Sequence, residues 1–207
     1  QKAIISTEDG KFYSHSGFDS EGIELCLEKI KEKGHFVCGG STITQQLAKN
    51  MFLSNNKNLM RKGIEALITI KIEKTLTKKE ILEKYLNVVQ FGKGIFGIKK
   101  AAWFYFKKSP GNLDVVESAF LAMVLPNPEK YSQSYYRKDL TRFAKRRITN
   151  IVENMYQYKM IQQEAYVTAL ARIDSFLQQG NATVNASPTV VAEPELTEED
   201  LDAMVQE

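Results

Sequence analysis

Three capping-box patterns constrain how this chain can fold. Each joins a Thr or Asp to a Gln or Glu three positions later, and the pairs are Thr42–Gln45, Thr77–Glu80 and Asp114–Glu117. Such a pair satisfies backbone N–H groups at the start of a helix. Strand signals are weak by comparison, and only residues 35–38 have the character of a short extended piece. The sequence therefore predicts a fold that is helical nearly throughout.

Further helices are predicted over residues 20–33, 59–75, 138–157 and 161–172. Segment 59–75 is so apolar that it predicts a buried helix. Pro126 and Pro128 end the helix that follows Asp114, because proline cannot continue a helix and disfavours helical backbone before it. The aromatic run 103–106 could stack on sugars, but a role in the core or an interface is favoured.

Charge divides the chain into two parts. Residues 178–207 contain seven acidic side chains and no Lys or Arg, which leaves 18 acids against 28 basic residues in the rest, a net charge of +10. We expect a folded domain over residues 1–177 and a disordered acidic tail over 178–207. A basic body suggests an anionic partner, although a solubilising surface would have the same composition.

Two cysteines, Cys26 and Cys38, form neither a metal-binding pattern nor a disulfide framework, and whether they pair stays open. The sequence has no run of 18 apolar residues that could span a bilayer. Because the chain starts at Gln1 without an initiator Met, we expect a fragment or processed form that lacks an N-terminal anchor.

The segment GGSTITQQLAKN, residues 39–50, joins two glycines to a helix with a polar but almost uncharged face. The polar face is formed by Thr42, Gln45, Gln46, Lys49 and Asn50, and the apolar face by Ile43, Leu47 and Met51. Hydroxyl and amide groups at a helix N-terminus suit a polar or anionic ligand. The alternative is a capped amphipathic helix whose polar side is hydrogen-bonded within the protein.

An acidic pair, Glu8–Asp9, follows an apolar run and precedes Phe12 and His15. Burial beside aromatic groups can raise the pKa of one carboxyl towards the range that a general base requires. A charge pair at a helix end and a structural histidine are the alternatives.

A second acidic candidate, Glu65, shares a helix face with Arg61 and Lys62. A carboxylate among cations can organise them around a phosphate or pyrophosphate, although an ion-paired helix surface has the same pattern. Two carboxylates and a cation cluster together suit glycosyl transfer. One carboxylate would remove a proton from a sugar hydroxyl, and the cations would stabilise a departing pyrophosphate.

The motifs occur in an order that resembles one known family. They are EDGKFYSHSGFD (8–19), GGSTITQQLAKN (39–50), RKGIEA (61–66), EILEKYLNVVQFGKGIFGI (80–98) and LPNP (125–128). Together they resemble the peptidoglycan glycosyltransferase domain, glycosyltransferase family 51, over most of residues 3–130. The segments FGKGIFGI and LPNP are most similar to those of the monofunctional biosynthetic transglycosylases. No transpeptidase motif is present in the sequence.

The resemblance implies an all-α, lysozyme-like fold with two lobes, one of them a membrane-facing jaw. It implies polymerisation of lipid II into β-1,4-linked glycan with inversion and undecaprenyl pyrophosphate as leaving group. Glu8 matches the general base and Glu65 the second carboxylate. Lys49, Arg61 and Lys62 match pyrophosphate-binding residues. Positions that line the cleft are matched by Asp9, Phe12, His15, Ser41, Thr42, Gln45, Gln46 and Asn50.

The resemblance also implies partners and a location at the bacterial cytoplasmic membrane, with the catalytic domain on its periplasmic, extracytoplasmic side. The expected partners are lipid II, the growing lipid-linked glycan, the outer leaflet of the bacterial cytoplasmic membrane and other cell-wall synthesis proteins, with no nucleic acid. No cofactor is required, although a divalent cation (Mg²⁺ or Mn²⁺) can assist at the pyrophosphate. The alternatives are a lysozyme-like hydrolase or lytic transglycosylase, and a non-catalytic scaffold that binds anionic lipid.

Overall fold

The computed structural model describes residues 1–34, 40–53 and 59–178. The helices in these ranges are α1 (Lys2–Glu8), α2 (Ser20–Lys33), α3 (Ile43–Phe52), α4 (Leu59–Thr75), α5 (Lys78–Val88), α6 (Ile98–Phe106), α7 (Val115–Val124), α8 (Pro128–Tyr131), α9 (Gln133–Tyr136), α10 (Arg142–Gln157) and α11 (Gln163–Arg172). A 3₁₀ turn at Pro110–Asn112 precedes α7. The architecture confirms the predicted all-α class. The extended piece at 35–38, Cys38 and the tail from residue 179 lie outside the described residues.

The most buried helix is α7, which packs against α1, α10 and α11. Residues 119–124 of α7 are almost completely shielded from solvent, as their uninterrupted apolar sequence requires. Aromatic side chains of α6 close one side of this core. The rings of Tyr105 and Phe106 lie 5.4 and 5.9 Å from the ring of Phe120. The predicted core role of the aromatic run 103–106 is thus confirmed for these rings.

All three predicted capping boxes are present, with the side chain and the backbone bonded in both directions. The boxes open α3, α5 and α7. The helix α3 packs against both α4 and α5, and this three-helix group forms one side of the candidate site. Helix starts are therefore encoded locally, within four residues of sequence.

A β-hairpin between α5 and α6 was not predicted. Its strands are β1 (Gln90–Gly92) and β2 (Ile95–Phe96), which pair antiparallel. Strands of three and two residues are too short to show alternation in the sequence. The turn contains Gly94 at φ +71°, a backbone conformation that glycine adopts readily.

Segment 59–75 forms the predicted helix, but the prediction that this helix is buried is wrong. The helix α4 exposes a stripe of large apolar side chains, namely Met60 (78%), Ile64 (44%), Leu67 (68%) and Ile70 (41%). Glu65, Thr69 and Ile72 face the protein instead. Apolar residues at most positions from 66 to 72 carry no sequence signal that tells which of them will be covered. The helix continues through Gly63 without interruption, although glycine weakens a helix.

Within the described ranges, each helix is too short or too polar to cross a lipid bilayer.

Candidate active site

Glu8 is the last residue of α1, and its position follows from the burial of that helix. Ala3, Ile4 and Ile5 are buried where α1 packs against α7 and α10, which fixes the position of Glu8 at the C-terminal end of α1. There, Gln46 Nε2 donates a hydrogen bond to Glu8 Oε2 at 2.8 Å.

The electrostatic surroundings of Glu8 suit a general base. Burial raises the pKa of Glu8, and the nearby charge of Asp9 acts in the same direction. The hydrogen bond from Gln46 and the charges of Arg147 and Lys49 oppose this rise. A carboxyl whose pKa is raised by lost hydration is a better proton acceptor than an exposed glutamate, which is the property a general base needs.

Asp9 uses both carboxylate oxygens within the protein. Its Oδ1 lies 2.8 Å from His15 Nε2, and its Oδ2 accepts a hydrogen bond of 2.9 Å from the backbone N–H of Ile43. Because the backbone N–H of Gly17 donates to His15 Nδ1 at 3.1 Å, the proton of the neutral imidazole belongs on Nε2, where it is donated to Asp9. This network ties the loop after Glu8 to the first residue of α3.

The polar face predicted for α3 is only partly exposed. Thr42 is 3% and Gln45 5% exposed, whereas Met51, predicted to face inward, is 45% exposed. Thr42 Oγ1 donates to the carbonyl oxygen of Gly17 at 2.7 Å, and the capping box occupies Gln45. A partner 25 residues away decides the burial of Thr42, so the periodicity of α3 could not show it.

The predicted site residues thus separate into two sets. Four are buried and have internal contacts, so they support the candidate site without facing a ligand: Asp9, Phe12, Thr42 and Gln45. Six others are at least partly exposed, and direct contact with a ligand stays a prediction for Ser41, Gln46, Lys49, Asn50, Arg61 and Lys62. His15 belongs with the supporting set because its ring is bonded to Asp9 and Gly17.

Replacing Gly17 with alanine is expected to destabilise the supporting network. Gly17 has φ +94°, and an added Cβ would lie 2.9 Å from Thr69 Cγ2 and 3.0 Å from Glu73 Cγ of α4. Strain of this kind costs about 1–3 kcal/mol, which should lower the Tm by roughly 3–10 °C in calorimetry. Gly10→Ala is the control, since its Cβ would meet no atom within 4 Å. An equal Tm for the two variants would contradict the expectation.

Glu65 sits on the inner face of α4 and is paired with two cations. Arg61 Nη1 donates to Glu65 Oε2 at 3.1 Å, and Lys62 Nζ contacts Oε1. The side chain of Glu65 is 3% exposed, whereas that of Lys62 is 48% exposed. One negative charge between two positive ones leaves a net positive cluster whose lysine reaches solvent. Such a cluster can bind a phosphate while the carboxylate fixes the cations in place.

Glu8 and the partner of Glu65, Lys62, both contact the short segment around the start of α3. Lys62 Nζ lies 3.4 Å from Ser41 Oγ, and Gln46 bonds to Glu8. A cavity of about 120 Å³ opens at this junction, and its lining includes Glu8, Ser41 and Ile23. A larger cavity of about 500 Å³ lies beside the start of α1, but no predicted site residue lines it. We assign the chemistry to the smaller cavity because Glu8 lines it and Lys62 of the cation cluster contacts Ser41 at its edge.

Two residues at the site were not predicted to be functional. Tyr85 of α5 donates a hydrogen bond of 2.9 Å from its hydroxyl to Gln46 Oε1. Arg147 of α10 places a positive charge near Glu8. Tyr85 carries no functional signal in the sequence, although a buried tyrosine hydroxyl usually requires a partner. Nothing in the sequence separates Arg147 from the other basic residues of α10.

The donor set does not fit a dedicated metal site. Both oxygens of Glu65 are occupied by cations, and both oxygens of Asp9 by N–H groups. In the described ranges, no three His, Cys, Asp or Glu side chains cluster closely enough to hold a metal ion. We therefore derive no step through a bound metal.

Comparison with known proteins agrees with the motifs. The profile of the Transglycosylase family matches residues 1–156. A biosynthetic peptidoglycan transglycosylase of Acinetobacter baylyi is 50% identical over 134 residues, covering 65% of this chain and 60% of the relative. The proteins of the same name from Aromatoleum aromaticum and Dechloromonas aromatica are 51% and 47% identical, covering 65% and 69% of this chain and 59% and 62% of the relatives.

The chain spans about three fifths of the length of these relatives. The family match covers residues 1–156, which contain Glu8, Glu65 and the helix α3 that lies between them in the sequence. The chain belongs to the Transglycosylase family.

Proposed function

We propose that this chain is a peptidoglycan glycosyltransferase that polymerises lipid II into glycan strands. One observation carries the proposal: a partly buried carboxylate, Glu8, and a cation cluster, Arg61–Lys62–Glu65, both bond to the same short segment around the start of α3. A proton acceptor and a pyrophosphate-binding cluster held on one wall are the two elements that this reaction requires.

In the proposed reaction, Glu8 accepts the proton of the 4-hydroxyl of the acceptor sugar. The hydroxyl oxygen attacks C1 of the donor sugar from the face opposite the leaving group, so the configuration inverts and a β-1,4 bond forms. The C1–oxygen bond to the pyrophosphate breaks, and undecaprenyl pyrophosphate departs with both bonding electrons. Arg61, Lys62 and Lys49 would neutralise the charge that develops on the pyrophosphate. The proton on Glu8 then passes to solvent.

The two cations that contact Glu65 favour this reaction over hydrolysis of finished glycan. A lysozyme-like enzyme needs a protonated carboxyl to donate to the leaving oxygen. Both oxygens of Glu65 instead accept from Arg61 and Lys62, so this carboxyl is placed to hold cations and not to donate to a leaving oxygen. A pyrophosphate leaving group needs charge neutralisation and no proton donor, which the cluster can supply.

Turnover of lipid II decides the function. The full chain is incubated with labelled lipid II, and the products are separated on a gel that resolves glycan length. We expect long glycan that lysozyme digests. In parallel, the protein is incubated with finished peptidoglycan, from which a polymerase releases nothing. Soluble muropeptides from the second reaction would support the hydrolase alternative, and inactivity in both would support a non-catalytic scaffold.

We also propose that the apolar stripe of α4 contacts the outer leaflet of the cytoplasmic membrane, where lipid II resides. Met60, Ile64 and Leu67 project on one side of α4. At about 100° per residue, Glu65 lies roughly 140° around the helix from Met60. The stripe therefore faces away from the candidate site and leaves it accessible while the helix rests on lipid. A large exposed apolar patch is typical of an interaction surface.

Replacing Leu67 with glutamate should weaken binding to vesicles by about tenfold or more, because a buried leucine contributes about 1.5–3 kcal/mol and the new charge disfavours lipid. Co-sedimentation with vesicles of cell-membrane phospholipids measures the effect. Val167→Glu is the matched control, since Val167 is 56% exposed against 68% for Leu67 but lies on α11. Equal binding to vesicles by both variants would argue against the α4 stripe as the membrane-contacting surface.

A further inference from the structure

Tyr85 connects the core of the α3–α5 pair to the candidate catalytic carboxylate. Its side chain is completely buried, and its neighbours Ile81 and Leu82 on α5 are also buried, so the ring has little freedom to move. From this fixed position its hydroxyl donates to Gln46 Oε1 at 2.9 Å. The same amide then donates from Nε2 to Glu8 Oε2 at 2.8 Å. A chain of two hydrogen bonds thus runs from the core to Glu8.

The direction of this chain depends on the tyrosine. A glutamine amide has one acceptor atom and one donor atom at its end, and it can turn around. When the Tyr85 hydroxyl donates to Oε1, the NH₂ group of Gln46 must point to Glu8. The reversed amide would set its carbonyl oxygen against an ionised carboxylate, where two acceptors repel each other. The hydroxyl remains a donor because burial, with the nearby charges of Glu8 and Asp9, raises the pKa of Tyr85 well above its usual value.

We propose that Tyr85 is a positioning residue for the reaction: acting through Gln46, it holds Glu8 in the orientation and protonation state of a general base. The proposal rests on the function proposed above, in which Glu8 accepts the proton of the acceptor sugar. With Oε2 held by Gln46, the second carboxylate oxygen is free to receive that proton, since within the described ranges it accepts no hydrogen bond.

Other charges also face Glu8, and they act independently of Tyr85. Arg147 approaches from α10 and Lys49 from α3, and both favour the ionised form of Glu8. Asp9, the next residue, disfavours it. Replacing Tyr85 with phenylalanine leaves these three charges in place and removes only the hydroxyl. A change in the titration of Glu8 in that variant is therefore attributable to the orientation of Gln46.

The test compares two tyrosine variants of the full chain across a range of pH. The acid limb of kcat/KM for lipid II polymerisation reports the ionisation of the base in the free enzyme. In Tyr85→Phe the amide loses its partner at Oε1 and keeps, besides Glu8, only the long 3.5 Å contact from Nε2 to the Ser41 carbonyl oxygen. The hydrogen bond to the carboxylate therefore weakens, and the acid limb should move to higher pH by roughly one unit. Activity should fall by about tenfold on that limb and recover at higher pH.

Tyr105→Phe is the matched control for loss of stability. Tyr105 is 4% exposed, and its hydroxyl also donates one bond of 2.9 Å, to the carbonyl oxygen of Phe91. This variant should lose similar stability in thermal unfolding but retain the wild-type acid limb. Gln46→Met should also move the limb upward, and adding Tyr85→Phe to it should produce no further shift, because Tyr85 acts only through Gln46.

The outcomes separate this proposal from the function on which it rests. No polymer from the wild-type chain would overturn both. If the wild type polymerises lipid II, an unchanged acid limb in Tyr85→Phe would overturn the role of Tyr85 alone. An equal shift in Tyr105→Phe, or shifts from Tyr85→Phe and Gln46→Met that add in the double variant, would overturn it in the same way.

Discussion

Replacing Glu8 with glutamine is expected to abolish polymerisation of lipid II. Glutamine has nearly the same shape and can still accept the hydrogen bond from Gln46 Nε2, but it cannot accept a proton. General-base catalysis contributes about 10²–10⁴-fold to a rate, so the initial rate of glycan formation should fall by at least that factor. The assay is the consumption of labelled lipid II under single-turnover conditions, with product length followed on the same gel.

The stability of this variant distinguishes lost chemistry from lost fold. Burial raises the pKa of Glu8 above its ordinary value of 4.5, so the folded protein binds this proton more tightly than the unfolded chain does. The contribution of Glu8 to stability is therefore largest at low pH and is lost as pH rises from 4.5 through the folded pKa. The glutamine of the Glu8→Gln variant does not ionise, so this variant does not lose stability in this way as pH rises.

The variant should thus unfold at or above the wild-type temperature at neutral pH, and this advantage should disappear near pH 4. Glu83→Gln, an exposed substitution on α5, is the control and should leave both activity and Tm unchanged. Robust polymerisation by Glu8→Gln would remove Glu8 from the mechanism.

Replacing Glu65 with glutamine is expected to lower the polymerisation rate by about 10²-fold or more, comparable with removing one group that stabilises a developing anion. The neutral amide no longer fixes Arg61 and Lys62, and their like charges repel. Because the Lys62 side chain is 48% exposed, it can turn into solvent and away from the pyrophosphate. The rate with lipid II measures the loss. A wild-type rate would place the second carboxylate elsewhere.

The same substitution should cost about 1–3 kcal/mol of stability. This is below the 3–5 kcal/mol of a fully buried broken pair, because the lysine can regain water. Glu73→Gln is the matched control on the same helix. Glu73 accepts from Lys78 Nζ at 2.7 Å and from Thr44 Oγ1 at 2.5 Å, about 12 Å along α4 from Glu65. It should lose similar stability yet retain most of its activity. Equal loss of activity in both variants would indicate a purely structural role for Glu65.

The helix starts show what local sequence can predict. A capping box requires only two side chains three positions apart, so the starts of α3, α5 and α7 could be located without any tertiary information. The Arg61–Lys62–Glu65 cluster is equally local, since a single helix turn brings these side chains together. The hairpin after α5 escaped prediction because strands of two or three residues are too short to carry a pattern.

Long-range contacts explain the errors. Thr42 is buried by the carbonyl of Gly17, and Gln46 is oriented by Glu8 and Tyr85, which lie 38 and 39 residues away. No periodicity within α3 contains this information. The exposure of Leu67 on α4 has the same cause, because only the packing of α3 on one side of α4 decides which apolar residues remain uncovered.

The sequence by itself determined the helical class, the family, and the two acidic residues on which the proposed chemistry depends, since each follows from residues close together in the chain or from motifs in a fixed order. Only the tertiary structure decided which polar residues support the site, how Gln46 and Tyr85 hold Glu8, and where the apolar stripe lies. The physical reason is that burial and hydrogen-bond direction depend on distant partners, which meet only when the helices pack.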